Sequence, residues 1–221
     1  MARFEVESTE GMRWVRVDLE DDDVRTERGA LNHMKGDLAM DVPLPSPRAW
    51  WVSMFSDESV VRPRYYGTGS VYLDSTLGGY HRLRVKPGER WILDTKCFWA
   101  SDGEVNLAIH RERFWTSLWA GQGLLWYKTA LTGEGQAVLQ VDGPVEEVKL
   151  ENDRLVADGP FVIARTDGIS LSVRRPSKSI LAHWLSGQKL AFVYRGTGKL
   201  LLCTTPYWRQ RMQREKSAAY E

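Results

Sequence analysis

A chain of 221 residues is long enough to bury a sizeable core, and 43% hydrophobic with 27% charged residues is ordinary for a globular protein. A formal net charge of +1 gives no overall field that would draw the chain to nucleic acid or to an anionic membrane. Only the ends are uneven: residues 1–27 hold nine acids against four arginines, and 207–221 hold four bases against two acids. Cys97 and Cys203 are isolated thiols outside any CxxC, which suits a reducing compartment rather than a disulfide framework. The first residues show no apolar core of signal-peptide length, and no uncharged apolar run reaches the ~18 residues of a membrane helix. The expectation is a soluble cytoplasmic protein with no transmembrane segment.

In chain order, the apolar residues fall at a period of two. Val15, Val17 and Leu19 alternate with Arg16, Asp18 and Glu20, and Asp21-Asp22-Asp23 then reads as a solvated turn. Leu83 and Val85 alternate with Arg82, Arg84 and Lys86. Val105, Leu107 and Ile109 follow, then Ile169, Leu171 and Val173 between serines and Arg174. Short alternating runs are half-buried strands. Pro87-Gly88, Asp102-Gly103 and Asp167-Gly168 supply the positive φ of tight hairpins. Ser179–Leu185 fits a helical turn or a strand equally. Beyond it, Thr205 can cap, Pro206 suits a first helical position, and Trp208 and Met212 share a face. This predicts a short C-terminal helix within 207–221, either covering a sheet edge or reaching for a partner.

Three segments line up as one repeat. Gly67-Thr68-Gly69-Ser70-Val71-Tyr72-Leu73, Gly133-Glu134-Gly135-Gln136-Ala137-Val138-Leu139 and Gly196-Thr197-Gly198-Lys199-Leu200-Leu201-Leu202 each read GxG followed by a strand pattern. Upstream, Met54-Phe55-Ser56-Asp57, Leu118-Trp119-Ala120-Gly121 and Trp184-Leu185-Ser186-Gly187 also align. Arg90-Trp91-Ile92-Leu93-Asp94 matches Arg154-Leu155-Val156-Ala157-Asp158, with weaker kin at Val24-Arg25-Thr26-Glu27. Such a period marks a repeat architecture. The expected fold is all-β: three tandem β-sandwich or barrel-like modules with pseudo-threefold symmetry, at about 1–76, 77–142 and 143–206, forming a single repeat domain with the tail 207–221 attached. Each GxG is expected at a turn or bulge where a strand begins.

These hairpins, with Ser186-Gly187-Gln188-Lys189-Leu190 and the stretch Glu27–Gly36, resemble the altered-inheritance-of-mitochondria (mitochondrial biogenesis) family, over about residues 11–206. The resemblance implies a fold related to the tryptophan RNA-binding attenuation protein, many bacterial members of unknown function, and no established enzymatic activity. It carries over no functional residue. Gly-Thr-Gly and Gly-Glu-Gly stand where the family often has Gly-Pro-Gly, and Asp57 stands where the other two segments have glycine.

No constellation of chemistry appears. His33, His81, His110 and His183 lie in no ligand spacing, so no metal residue is assigned. Ser70 lacks the strand-to-helix elbow of a nucleophile, and Cys97 reads as an inert thiol in a strand despite Lys96 beside it. The GxG segments lack the Lys-Ser/Thr ending of a phosphate loop, and Asp21–Asp23 lack calcium-loop spacing. The residues therefore assign no catalytic, cofactor-binding or metal-ligating site, and no cofactor. Ten tryptophans are many; Trp91 and Trp119 occupy repeat positions held elsewhere by Leu or Phe, which marks core. Of adjacent Trp50 and Trp51 one faces away from the core. Arg82, Arg84 and Lys86 put bases on one strand face, but near-zero net charge makes nucleic acid an unfavoured partner. The expected function is a non-enzymatic assembly or interaction module: a homo-oligomer, trimer or dimer, with its protein partner unidentified and a tryptophan in the interface. The alternative is a small-ligand or nucleic-acid binder using grooves between modules.

Overall fold

The computed structural model describes residues 2–43, 61–76, 78–112, 127–158, 161–174 and 191–203. They form fourteen strands: β1 Arg3–Thr9, β2 Met12–Thr26, β3 Leu31–Asp41, β4 Arg64–Leu73, β5 Gly79–Val85, β6 Trp91–Leu93, β7 Phe98–Asp102, β8 Val105–Arg111, β9 Tyr127–Gly133, β10 Gly135–Val141, β11 Val145–Asp158, β12 Val162–Thr166, β13 Ile169–Arg174 and β14 Ala191–Cys203. No helix occurs among the described residues, and the expected helix at 207–221 and the Ser179–Leu185 segment lie outside them. The aligned segments before each GxG, with Trp50, Trp51, Trp119 and His183, also lie outside.

The strands build two antiparallel sheets of seven rather than three separate sandwiches. The first runs β3-β4-β2-β7-β10-β5 with β1 on β2; the second runs β11-β14-β12-β6-β9-β8 with β13 on β14. The middle third gives three strands to each sheet. Its first strand breaks where β2 and β11 run on: Lys86-Pro87-Gly88-Glu89-Arg90 intervene between β5 and β6. Pro87 has no N–H for a ladder, and Gly88 at φ 81 closes a turn in which Glu89 N–H donates to Lys86 O. The halves therefore enter different sheets.

Three apolar clusters fill the interior. Phe4, Val15, Val17, Leu19, Tyr65, Val71 and Leu73 form the first, with Ala100 and Val138 from the middle third. Trp91, Leu93, Phe98, Leu131, Leu139 and Leu201 belong to the second, which lies between the sheets. Leu150, Ile169, Phe192, Tyr194 and Leu200 belong to the third. Trp91 is core, as its repeat position implies, and donates its indole N–H to Glu89 (3.2 Å).

Local geometry recurs at equivalent places. Gly67, Gly133 and Gly196 have φ of 120, 97 and 138°, and their GxG partners Gly69, Gly135 and Gly198 have 155, 151 and 157°. The first and third pairs lie inside β4 and β14 rather than where a strand begins, whereas in the second Gly133 ends β9 and Gly135 opens β10 as expected. A side chain at the first glycine would overlap the carbonyl oxygen of Asp37 on β3, or of Glu104 or Gly168 in the turns before β8 and β13, so only glycine fits. Leu38, Val105 and Ile169 are their ladder partners. Asp21-Asp22-Asp23 is not a turn either: it is a bulge within β2, with Asp21 left-handed at φ 54° and Asn152 in the same role in β11 at φ 52°.

Candidate functional site

The described residues bring their buried charges together at two junctions, where one third of the chain pairs with the next. At the first, β2 meets β7 with Val24 opposite Asp102, Arg25 opposite Ser101 and Thr26 opposite Ala100. At the second, β6 meets β12 with Trp91 opposite Thr166, Ile92 opposite Arg165 and Leu93 opposite Ala164. Each junction is extended by the same two backbone bonds. Glu27 N–H donates to Trp99 O (2.7 Å) and Gly103 N–H to Asp23 O (3.2 Å); Asp94 N–H donates to Ile163 O (2.7 Å) and Asp167 N–H to Arg90 O (3.0 Å). Trp99 and Ile163 can serve because each is the extra residue of a bulge, which turns its carbonyl away from its own ladder.

The side chains follow suit. At the first junction the buried Arg62 pairs with Glu27, donates to Thr129 Oγ1 (3.1 Å) and lies 4.5 Å from the Phe98 ring centre. Burial lowers its guanidinium to about 10, so it stays cationic at neutral pH. At the second, Lys128 stands as Arg62 does and pairs with Asp94 (2.8 Å). Arg165 joins Glu112 and donates to Ile169 O (2.8 Å). His110 lies 3.8 Å from Glu112 and 3.5 Å from Arg90, which pairs with Asp167 (3.2 Å). Burial holds the His110 imidazole below its ordinary value against the pull of Glu112, and burial pushes the Tyr194 phenol up. At neutral pH these are a neutral imidazole, a protonated phenol and ion pairs already satisfied by one another. Chemically they fasten strands; no nucleophile stands among them.

The other residues singled out from sequence are dispersed. His33 sits on β3, stacked on Tyr72 at 4.2 Å; His81 is half-buried on β5. Among the described residues no three His, Cys, Asp or Glu side chains gather as a metal site. Cys97 is in the turn before β7, not in a strand, where Lys96 takes φ 63°; its thiol is half-buried against the middle cluster. Arg82 and Arg84 do share the exposed face of β5, and Arg82 donates to Phe4 O (3.2 Å). An open depression of ≈ 310 Å³ is lined by Asn152, Asp153, Arg154, Arg195 and Gly196. Sequence reasoning missed the junction ions, because a charged residue in a short strand reads as surface. The one available signal was Glu27 and Asp94 standing at the same repeat position.

Among the described residues the two sheets end in β3 and β5 and in β11 and β8, and the outer edges of β3 and β11 carry exposed apolar side chains. On β3, Met34 and Met40 are 45% and 53% exposed although they point to the side where Val71 and Tyr65 are buried; on β11, Val156 is 56% exposed.

An all-β chain of two shared sheets, pinned by ion pairs and ending in open edges, is the class of protein that this geometry defines. The chain belongs to the mitochondrial biogenesis AIM24 family, whose model matches residues 4–205. It is similar in fold to protein SPYM3_0169 from Streptococcus pyogenes, a crystal structure, at 16% identity and a TM-score of 0.72 over 98% of this chain and 100% of that one. No curated protein matches it. No helix among the described residues is long and apolar enough to cross a membrane.

Proposed function

We propose that this protein is a non-enzymatic assembly module, built from three variants of one β unit and acting by self-association or protein contact. The observation that carries the reading is β3: an eleven-residue strand at a sheet edge, with exposed methionines on its apolar side and, among the described residues, no strand paired to its outer backbone groups. Such an edge templates pairing with another chain unless it is covered. Support for the three-unit reading comes from the repeated glycine conformations, the repeated bulges and the two junctions of equal register. Support for a non-enzymatic role comes from the junction pairs Arg62–Glu27, Lys128–Asp94 and Arg165–Glu112, whose charges are consumed by one another. The test is the mass in solution: light scattering across a wide micromolar range should give a multiple of 25.3 kDa. A clean monomer throughout would remove the assembly reading.

A second reading, small-ligand or nucleic-acid binding, draws on the exposed Arg82 and Arg84 and on the depression beside Arg154 and Arg195. Salt-sensitive retention of single-stranded RNA, abolished by Arg82→Ala with Arg84→Ala, would favour it over assembly.

A further inference from the structure

The two internal junctions obey one rule, and the open edges of β3 and β11 are the halves of a third. On the giving side, Val24, Trp91 and Leu155 face Tyr65, Leu131 and Tyr194, each two residues before the first glycine of a GxG. On the receiving side, Ser101, Arg165 and Met34 face Ala137, Leu200 and Val71, each two residues after the second glycine. The receiving strands even share their bulge: Asn32 is the extra residue in β3, as Trp99 is in β7 and Ile163 in β12. Segment 23–27 is covered by 99–103, and 90–94 by 163–167. That leaves 154–158 on β11 and 32–36 on β3, each lacking its counterpart.

We infer that β11 of one copy of this chain pairs antiparallel with β3 of a second copy, head to tail, in the register of the internal junctions. The rule sets Leu155 opposite Lys35, Val156 opposite Met34 and Ala157 opposite His33. It also makes Asp158 N–H the donor to Asn32 O, and Gly36 N–H the donor to Arg154 O. Burial supports this pairing in particular. At the central position of the internal junctions Ser101, Ile92 and Arg165 are 0%, 2% and 6% exposed and Arg25 is half-buried, whereas Met34 and Val156, central at the open ends, are 45% and 56% exposed. Two apolar side chains directly opposite across a new ladder would lose that exposure together. A head-to-tail contact of this kind closes into a ring or propagates, according to the rotation between copies. The inference rests on the assembly reading and adds its surface, orientation and partner.

Chains with one added cysteine test it. A Met34→Cys chain mixed with a Val156→Cys chain under mild oxidation should give an inter-chain disulfide, with neither chain alone nor the wild type (Cys97 and Cys203 intact) giving that band. Val156→Lys or Met34→Lys should weaken assembly by more than about tenfold, whereas Val6→Lys, at an exposed apolar position on β1, should not. Circular dichroism matching wild type shows that the lysine variants fold. A Met34→Cys chain that links to itself would mean β3 pairs with β3 and overturns the inference. So would a disulfide within one monomeric chain of the double-cysteine variant, which would mean closure inside the molecule. An assembled wild type indifferent to both lysines sinks this surface and spares the assembly reading, whereas a monomeric wild type sinks both.

Discussion

Asp21 and Asn152 stand in the same left-handed conformation in different sheets, and each donates its backbone N–H to the middle threonine of a Gly-Thr-Gly: Asp21 to Thr68 Oγ1 at 3.2 Å, Asn152 to Thr197 Oγ1 at 2.9 Å. The threonine is thus the lock of the bulge, and the left-handed residue is its cost. Replacing Thr197 by Val should lower stability by about 0.5–1 kcal/mol, because the exposed N–H recovers water but loses a preorganised acceptor. Asn152→Gly should leave stability unchanged or raise it slightly, whereas Asn152→Val should lower it by about 1–2 kcal/mol through the left-handed backbone. Urea midpoints of the three variants check both parts.

Gly196 and Gly29 separate two costs of a side chain. Both have positive φ, 138 and 77°, but a Cβ at Gly29 meets nothing while one at Gly196 overlaps the Gly168 carbonyl. Gly29→Ala should cost about 1 kcal/mol from backbone conformation alone. Gly196→Ala should cost more than about 2 kcal/mol, since the hairpin β13–β14 must open to admit it. Equal midpoints for the two in thermal melts would show that the close approach at Gly196 is immaterial.

The ion pair of Arg62 and Glu27 is best read by a mutant cycle. Arg62→Met strands a half-buried carboxylate and should cost about 3 kcal/mol. Adding Glu27→Gln to Arg62→Met should return a good part of that loss, because the uncompensated charge goes with it. Denaturant unfolding of the singles and the double gives the coupling directly, and simple additivity would deny the pair its place at the junction.

Asp102 carries a pH dependence of opposite sense to an ordinary salt-bridged acid. Burial raises its carboxyl above the usual 3.8, although Glu104 N–H donates to Oδ1 (3.0 Å). Between 3.8 and the folded value the native state holds a proton that the unfolded chain has released, so stability falls as pH rises through that window and stays lower above it. Asp102→Asn keeps the Oδ1 acceptor and removes the titration. The variant should therefore melt higher than wild type at pH 7, with the gap closing at pH 3.5. A constant gap across pH would assign the effect to packing instead.

Strand periodicity and the Gly-x-Gly spacing were legible because both act locally: alternation follows from the pleat, and a residue facing a carbonyl at van der Waals distance must be glycine whatever else surrounds it. The sharing of strands between sheets was not, since it turns on where Pro87 breaks a strand and on which neighbour β7 and β12 find, both matters of long-range pairing. Asp21–Asp23 misled because a bulge inside a strand and a turn after it use the same residues. The junction charges Arg62 and Arg165 look like surface until the partner strand is known. The open edges could be recognised only as what two repeated junctions leave over.

The break at Lys86–Arg90 has a consequence for how the chain emerges from the ribosome. Because the middle third serves both sheets, the first sheet can be completed once β10 has been made, with Val138 closing its apolar cluster. The second must wait for β14, which pairs with β11, β12 and β13 and is the last strand described. During that interval β6, β8 and β9 are tethered to a finished sheet by linkers of five, two and one residues while Trp91 and Leu131 still lack Leu201 as a cover. The early sheet is then a platform on which the late one is laid, and a stalled nascent chain halted before residue 191 should be the aggregation-prone species of this protein.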